Sequence, residues 1–218
     1  PLTGRSGVAA SRAAAGGTEV RLQLAPGGSC ILRTLARRKA RGPDWDYWKN
    51  ANAAVSLAGK WQVIFLRGGP TLPAPFESAR LASWTELGGA NAQSFAGTAL
   101  YTLRFDAPKP SVRHWRLDLG KVCQSARVRL TGKDLGTLIT PPFCVATGAL
   151  KSRGNVLEVE VTNVSANRIR DLDRRKVPWK NFYDINFVNL EYKPFDAANW
   201  PDFDSGLLGP VTITPVKR

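Results

Sequence analysis

Residues 119–161, LGKVCQSARVRLTGKDLGTLITPPFCVATGALKSRGNVLEVEV, decide the fold. Two alternating runs, 126–130 and 134–139, flank the turn Thr131-Gly132-Lys133. Val128 and Leu130 fall on one face, Arg127 and Arg129 on the other. A Gly154-Asn155 turn then leads into 156–161, where Leu157, Val159 and Val161 oppose Val156, Glu158 and Glu160. Such period-2 alternation is the mark of antiparallel strands with one buried face. The stretch carries no paired carboxylates and no metal-ligand spacing, so it reads as scaffold.

Working outward, the pattern repeats. Residues 61–66 (WQVIFL) read as a strand, and in 97–105 Ala99, Tyr101, Leu103 and Phe105 share a face. Residues 115–119 and the closing 211–216 (VTITPV) are further strands. Gly and Pro punctuate the intervals, and helical periodicity is almost absent. About ten short strands of this kind predict an all-β fold, an antiparallel jelly-roll-like β-sandwich. The exception is 163–204, a long irregular excursion before the last strand, rich in Asn, Asp, Arg and aromatics. An unstructured connection of that length tends to be functional or an interface.

The N-terminal part divides differently. Residues 1–17 are small and Gly/Ala-rich, as expected of a disordered segment or linker. Residues 18–24 and 29–35 alternate around Ala25-Pro26-Gly27-Gly28 and predict a hairpin. The aromatic loop Trp45-Asp46-Tyr47-Trp48 follows, so that 18–54 fits an edge hairpin left from a preceding β domain and 55–218 is the sandwich.

The formal net charge is +14, and half of the excess lies in the first 60 residues, where ten Lys and Arg face three Asp and Glu. That balance suits polyanions or a basic proteome. No nucleic-acid-binding motif accompanies it, so nucleic acid is not an expected partner. No apolar run is long enough to span a membrane. Cys30, Cys123 and Cys144 lack metal spacing and sit among apolar neighbours, which predicts buried free thiols; a single disulfide stays open. His114, the only histidine, stands between Arg113 and Trp115 at a strand start, a structural setting. The chain contains no Met, as expected of a processed or excised piece.

Several of these turns carry a resemblance. Gly59-Lys60-Trp61, Ser83-Trp84-Thr85 and Gly97-Thr98-Ala99-Leu100-Tyr101 come first, followed by Leu119-Gly120-Lys121-Val122 and Ala126-Arg127-Val128. Gly132-Lys133-Asp134-Leu135-Gly136, Pro142-Phe143, Gly154-Asn155-Val156-Leu157-Glu158-Val159 and Gly206-Leu207-Leu208-Gly209-Pro210-Val211 complete the order. The pattern resembles the galactose-binding-like sandwich of the family 2 glycosidase sugar-binding domain. Within the excursion, 166–175 with Trp179-Lys180 and 182–187 is similar to the C-terminal part of α-L-rhamnosidases of glycoside hydrolase family 106. The resemblance covers roughly 18–216. It departs at Thr131, where the family usually has Asn before Gly; Thr at positive φ is costly, so a different turn is expected there.

In such enzymes the catalytic acid and base lie in an upstream barrel, for which this chain has no room. The resemblance therefore implies a non-catalytic module of a hydrolase that removes L-rhamnose from plant polysaccharide with inversion. It also implies a secreted or periplasmic location, and no cofactor. The alternatives are a free-standing lectin-like module for acidic glycans, or a charge-driven binder of nucleic acid or surfaces.

The excursion itself offers two chemistries. Glycoside hydrolysis needs two carboxyl groups across the scissile bond. Asp171 and Asp173 stand among Arg168, Arg170, Arg174 and Arg175, neighbours that hold carboxylates ionised, so a structural network is expected and no catalytic residue is assigned. A metal site on Asn167, Asp171 and Asp173 would lack the Gly and Glu of a calcium loop. Sugar binding pairs an aromatic platform with groups that bond hydroxyls. On that ground Arg174, Trp179, Asn181, Tyr183, Asp184, Asn186 and Trp200 are the candidate carbohydrate-binding residues. Their partner would be a rhamnose-containing polysaccharide or an adjacent catalytic domain. Trp45, Tyr47 and Trp48 pose the same choice between ligand and packing, with inter-domain packing expected. Asn163-Val164-Ser165 is a formal glycosylation sequon.

Overall fold

The computed structural model describes residues 6–24, 28–35, 38–109, 112–181 and 188–217. In chain order the strands are β1 (Ser11–Ala14), β2 (Gly17–Val20), β3 (Lys49–Asn50), β4 (Val55–Ser56), β5 (Trp61–Gly69) and β6 (Phe76–Ser78), then β7 (Ala96–Phe105), β8 (Trp115–Asp118) and β9 (Lys121–Cys123). They continue with β10 (Ser125–Leu130), β11 (Lys133–Leu138), β12 (Cys144–Thr147), β13 (Asn155–Thr162), β14 (Gly206–Gly209) and β15 (Thr212–Lys217). The helices α1 (Trp84–Leu87), α2 (Ala90–Gln93) and α3 (Ala166–Arg174) are short.

Antiparallel pairing builds a six-stranded sheet in the order β11-β10-β13-β7-β5-β6. Opposite it lie β12, β8 and β15, with β3 and β4 both pairing to β15. The alternation read from 119–161 places its residues as predicted. Ala126, Val128, Leu130, Leu157, Val159 and Val161 are buried, while the Arg and Glu between them face outward. Arg129 and Glu160 pair on that outer face at 2.7 Å. Across the sandwich, Trp61, Trp115, Tyr101, Leu103, Leu117 and Ile213 interlock as large, almost wholly buried side chains. Fully burying each such group is worth about 1.5–3 kcal/mol, and this is the main force holding the sheets together.

The turn motifs have specific jobs. Ser83 caps α1 through its hydroxyl, which accepts from the Thr85 N–H at 3.3 Å, and the same oxygen accepts from Ser205 N–H at 3.0 Å. Asn155 is buried and clamps Lys151, accepting from its N–H at 3.0 Å and donating to its carbonyl at 2.7 Å. Gly120 has a φ of +64°, and a Cβ there would lie 2.4 Å from the Gly209 carbonyl carbon. The Leu119-Gly120 and Gly206–Gly209 motifs are therefore two halves of one close backbone approach, where β9 meets β14.

The hairpin at Thr131 keeps its two-residue form, against expectation. Leu130 pairs with Lys133, and Thr131 and Gly132 have φ of +50° and +81°. The strained Thr is held from the far side: its N–H donates to the Val156 carbonyl at 2.6 Å, and its hydroxyl accepts from the Val156 N–H at 3.3 Å.

Three further expectations need correction. The N-terminal hairpin forms at β1 and β2, upstream of the predicted pair; residues 21–24 and 28–35 form no strand. Leu22, Leu24 and Ile31 stay exposed, because among the described residues no sheet receives them. For the same reason Cys30 is exposed, whereas Cys123 is buried and Cys144 half-buried; all three are free thiols. Burial, with Asp118 across the ladder, pushes the Cys144 thiol up to about 12. Finally, the excursion is not without regular structure: α3 occupies its first part.

Candidate functional site

The helix α3 is organised by polar residues. Its buried positions are Asn167 and Arg170, and its N-cap Ser165 makes no side-chain cap bond. Asn167, Arg170 and Asp173 are spaced by three and fall on one side of the helix. Each grips the segment that returns toward β14. The Asn167 amide accepts from Phe203 N–H at 2.9 Å and donates to the Phe203 carbonyl at 2.7 Å. Arg170, its side chain 6% exposed, pairs with Asp202. Asp173 accepts from Ala197 N–H at 2.8 Å, and Arg174 Nε donates to the Ala198 carbonyl at 2.7 Å. Helix and return segment thus run antiparallel, zipped by side chain-to-backbone bonds.

Asp173 is the centre of this arrangement. Its second oxygen accepts from Trp179 Nε1 at 2.7 Å, and the Lys180 ammonium lies at 3.3 Å. Burial works against its charge, but the Ala197 N–H, Trp179 and Lys180 outweigh burial and hold the carboxyl below the usual aspartate range. A general acid needs the opposite shift. Asp171 is engaged as well, with Arg168 and Arg175, and further carboxylates of the described excursion are paired: Asp202 with Arg170, Asp204 with Lys121 and Glu191 with Lys193. Among the described residues, no three His, Cys, Asp or Glu side chains come together to hold a metal.

Rings complete the unit. Trp179, Phe195, Trp200 and Phe203 form an edge-to-face chain with successive centroids 6.1, 5.5 and 6.0 Å apart. Beside it opens a concavity of about 620 Å³, walled by Arg174, Trp179, Lys180, Asp196 and Asn199, with Lys176 at its edge. Of the predicted site residues, the structure brings Arg174 and Trp179 together here. Trp200 belongs to the ring chain behind it, and Asn181 is exposed just past Lys180. Tyr183, Asp184 and Asn186 lie outside the described residues. Lys176 and Asn199 escaped the sequence reading, because lone polar residues in an irregular stretch carry no periodic signal.

Two other motifs resolve as structure. Asn163 of the sequon accepts from Gly97 N–H at 2.9 Å and donates to the Phe95 carbonyl and to Ser205 Oγ. An amide so engaged has no free nitrogen for a glycan. His114 packs its ring against Trp48, centroids 5.1 Å apart, and its carbonyl accepts from Val216 N–H.

No family model matches the chain. A putative β-glucuronidase from Formosa agariphila is 32% identical over 189 residues, which is 76% of this chain and 16% of that protein. The structure of a rhamnosidase from Novosphingobium sp. PP1Y matches with a TM-score of 0.65 and 28% identity, covering 94% of this chain and 19% of that one. The chain thus spans less than a fifth of the length of either relative. A family 2 β-galacturonidase from Eisenbergiella tayi gives a TM-score of 0.48 at 17% identity. Fold and relatives together define a glycoside-hydrolase-related β-sandwich.

Proposed function

We propose that this chain is a non-catalytic module of an α-L-rhamnosidase-like hydrolase of glycoside hydrolase family 106, active on rhamnose-containing plant polysaccharide. Residues 55–218 form the sandwich of that module, and 18–54 its edge toward a neighbouring domain. The excursion supports or lines the sugar site of a catalytic barrel. The observation that carries this reading is the likeness to a 19% portion of a rhamnosidase over 94% of the chain. In the same reading a sugar ring stacks on Trp179, while Arg174, Asn181 and Asn199 bond its hydroxyls. Tyr183, Asp184 and Asn186 complete the proposed set, and Trp200 backs the platform.

A second reading is a lectin-like module for acidic glycans. It is favoured by Arg174, Lys176 and Lys180 around the concavity, against Asp196 and the already bonded Asp173. Titration calorimetry of the chain against L-rhamnose and rhamnogalacturonan fragments separates the two. The supporting module gives no saturable heat by itself, and its removal from a full-length enzyme abolishes hydrolysis of an aryl α-L-rhamnoside. Saturable binding of the acidic fragment, lost in Trp179→Ala and weakened by salt, establishes the lectin instead. An intact full-length enzyme that cleaves only aryl glucuronides overturns the rhamnosidase assignment.

A further inference from the structure

The cations of the six-stranded sheet are disposed in two ways. Along its strands they are paired: Arg127 with Asp134, Arg129 with Glu160, and nearby Lys60 with Glu77. At the end of the sandwich away from the excursion they are not. The excursion leaves from the close of β13, so the opposite end is where β7 stops and β13 starts, Phe105 pairing with Asn155. Three bonds fold the connections there against each other. Ala107 N–H donates to the Ser152 carbonyl at 3.2 Å, Gly154 N–H to Asp106 Oδ1 at 2.8 Å, and Lys151 N–H to Asn155 Oδ1 at 3.0 Å. Lys151 and Arg153 stand on that corner, both exposed. Arg104 is opposite Val156, whose carbonyl accepts from the Thr131 N–H, and this brings the turn before Lys133 alongside. Arg104 and Lys133 are exposed as well. On the second sheet Lys49 and Lys217 are direct partners across the β3–β15 pair. They belong to the same end, because Pro215 pairs with Trp115 at the start of β8, the strand that follows β7.

We propose that this end of the sandwich holds an acidic polysaccharide by its carboxylates. Among the described residues none of these cations makes an ion pair, and Asp106, the carboxylate of that corner, is bonded to the Gly154 N–H. Like charges directly opposite each other, as Lys49 and Lys217 are, destabilise a sheet. Stability therefore does not account for the arrangement, and a polyanion offsets it. Nucleic acid fits less well: the rings of the flanking strands, Phe105 and Trp115, pack in the core and give a base no surface to stack on. Each exposed contact is weak, so affinity comes from a polymer that meets several cations at once. A short fragment meets one or two and gives no saturable heat in the titration above. That the polyanion is a glycan rests on the function proposed above; the cation cluster does not, and it lies at the other end of the sheet from the excursion and its concavity.

The test measures binding of the 218-residue chain to immobilised long-chain polygalacturonate, to a neutral galactan and to double-stranded DNA, at low and at physiological salt. The chain binds the polyuronate saturably and more tightly than DNA, salt weakens the binding, and the galactan retains nothing. Lys151→Gln with Arg153→Gln weakens it about tenfold, and so does Lys49→Gln with Lys217→Gln. Arg67→Gln with Arg80→Gln removes the same charge elsewhere on the surface and changes the affinity less than about twofold, as does Trp179→Ala. The paired substitutions are all at exposed side chains, so they report on charge and leave the core alone. No binding of the polyuronate, tighter binding of DNA, unchanged affinity in either of the first two pairs, or an equal loss in the Arg67 and Arg80 pair overturns the proposal. The rhamnosidase assignment is read separately, from hydrolysis of an aryl α-L-rhamnoside by a full-length enzyme.

Discussion

Thr131 shows how much a single residue can cost without altering a fold. A β-branched side chain at φ +50° is unfavourable by about 1–2 kcal/mol, yet the turn type is dictated by the strands on either side. Right-handed strand twist favours a turn with both central residues at positive φ, and the Val156 bonds hold Thr131 in it. The substitution Thr131→Asn should therefore stabilise the protein by about 0.5–1 kcal/mol, read as a higher urea midpoint with unchanged slope. Asp173 is the opposite case, a residue whose charge the structure uses. Its folded pKa is lowered, so its contribution is fully present above the unfolded aspartate value and is lost as pH falls through the lower folded one. Asp173→Asn leaves Lys180 uncompensated and sets an amide N–H₂ against donors, costing about 2–3 kcal/mol at neutral pH. Acid unfolding curves of the two proteins should converge at low pH; a constant gap down to pH 2 would refute the charge argument.

At the scale of elements, the strands were legible and α3 was not. The difference is physical. A strand buried on one face advertises itself by alternating apolar side chains, as in β7, β10 and β13. The helix α3 buries an amide and a guanidinium instead of an apolar stripe, so a search for hydrophobic periodicity passes over it. The signal present is polar, Asn167-x-x-Arg170-x-x-Asp173, and it acquires meaning only once the return segment is in place. If that zip holds the excursion together, Asn167→Ala should cost about 1–3 kcal/mol, because it strands the Phe203 N–H and carbonyl. The loss should appear locally, as faster amide hydrogen exchange in 197–204, with exchange in β7 and β13 unchanged. The opposite error, a predicted second N-terminal strand over 29–35, has the same origin. Alternation reports what a segment can do, and a strand still needs a neighbour to pair with.

For the whole molecule, the sequence by itself determined the sandwich. The spacing of apolar residues in 97–105, 126–130 and 156–161 leaves one way to bury them, and the Gly turns between them admit few connections. It also singled out the excursion, where Arg174 and Trp179 line one concavity. Only the tertiary structure decided which residues share a concavity. Lys180 and Asp196 are sixteen positions apart in the chain, and they meet because α3 pins the return segment beside Trp179. The same holds for a concavity between 6–10 and 43–49, whose two sides are joined by the bonds from Val8 N–H to the Pro43 carbonyl and from Trp45 N–H to the Val8 carbonyl. Backbone bonds of this kind carry no residue-type signature, whereas burial of apolar side chains does; the first is settled by the folded chain and the second is written in the sequence.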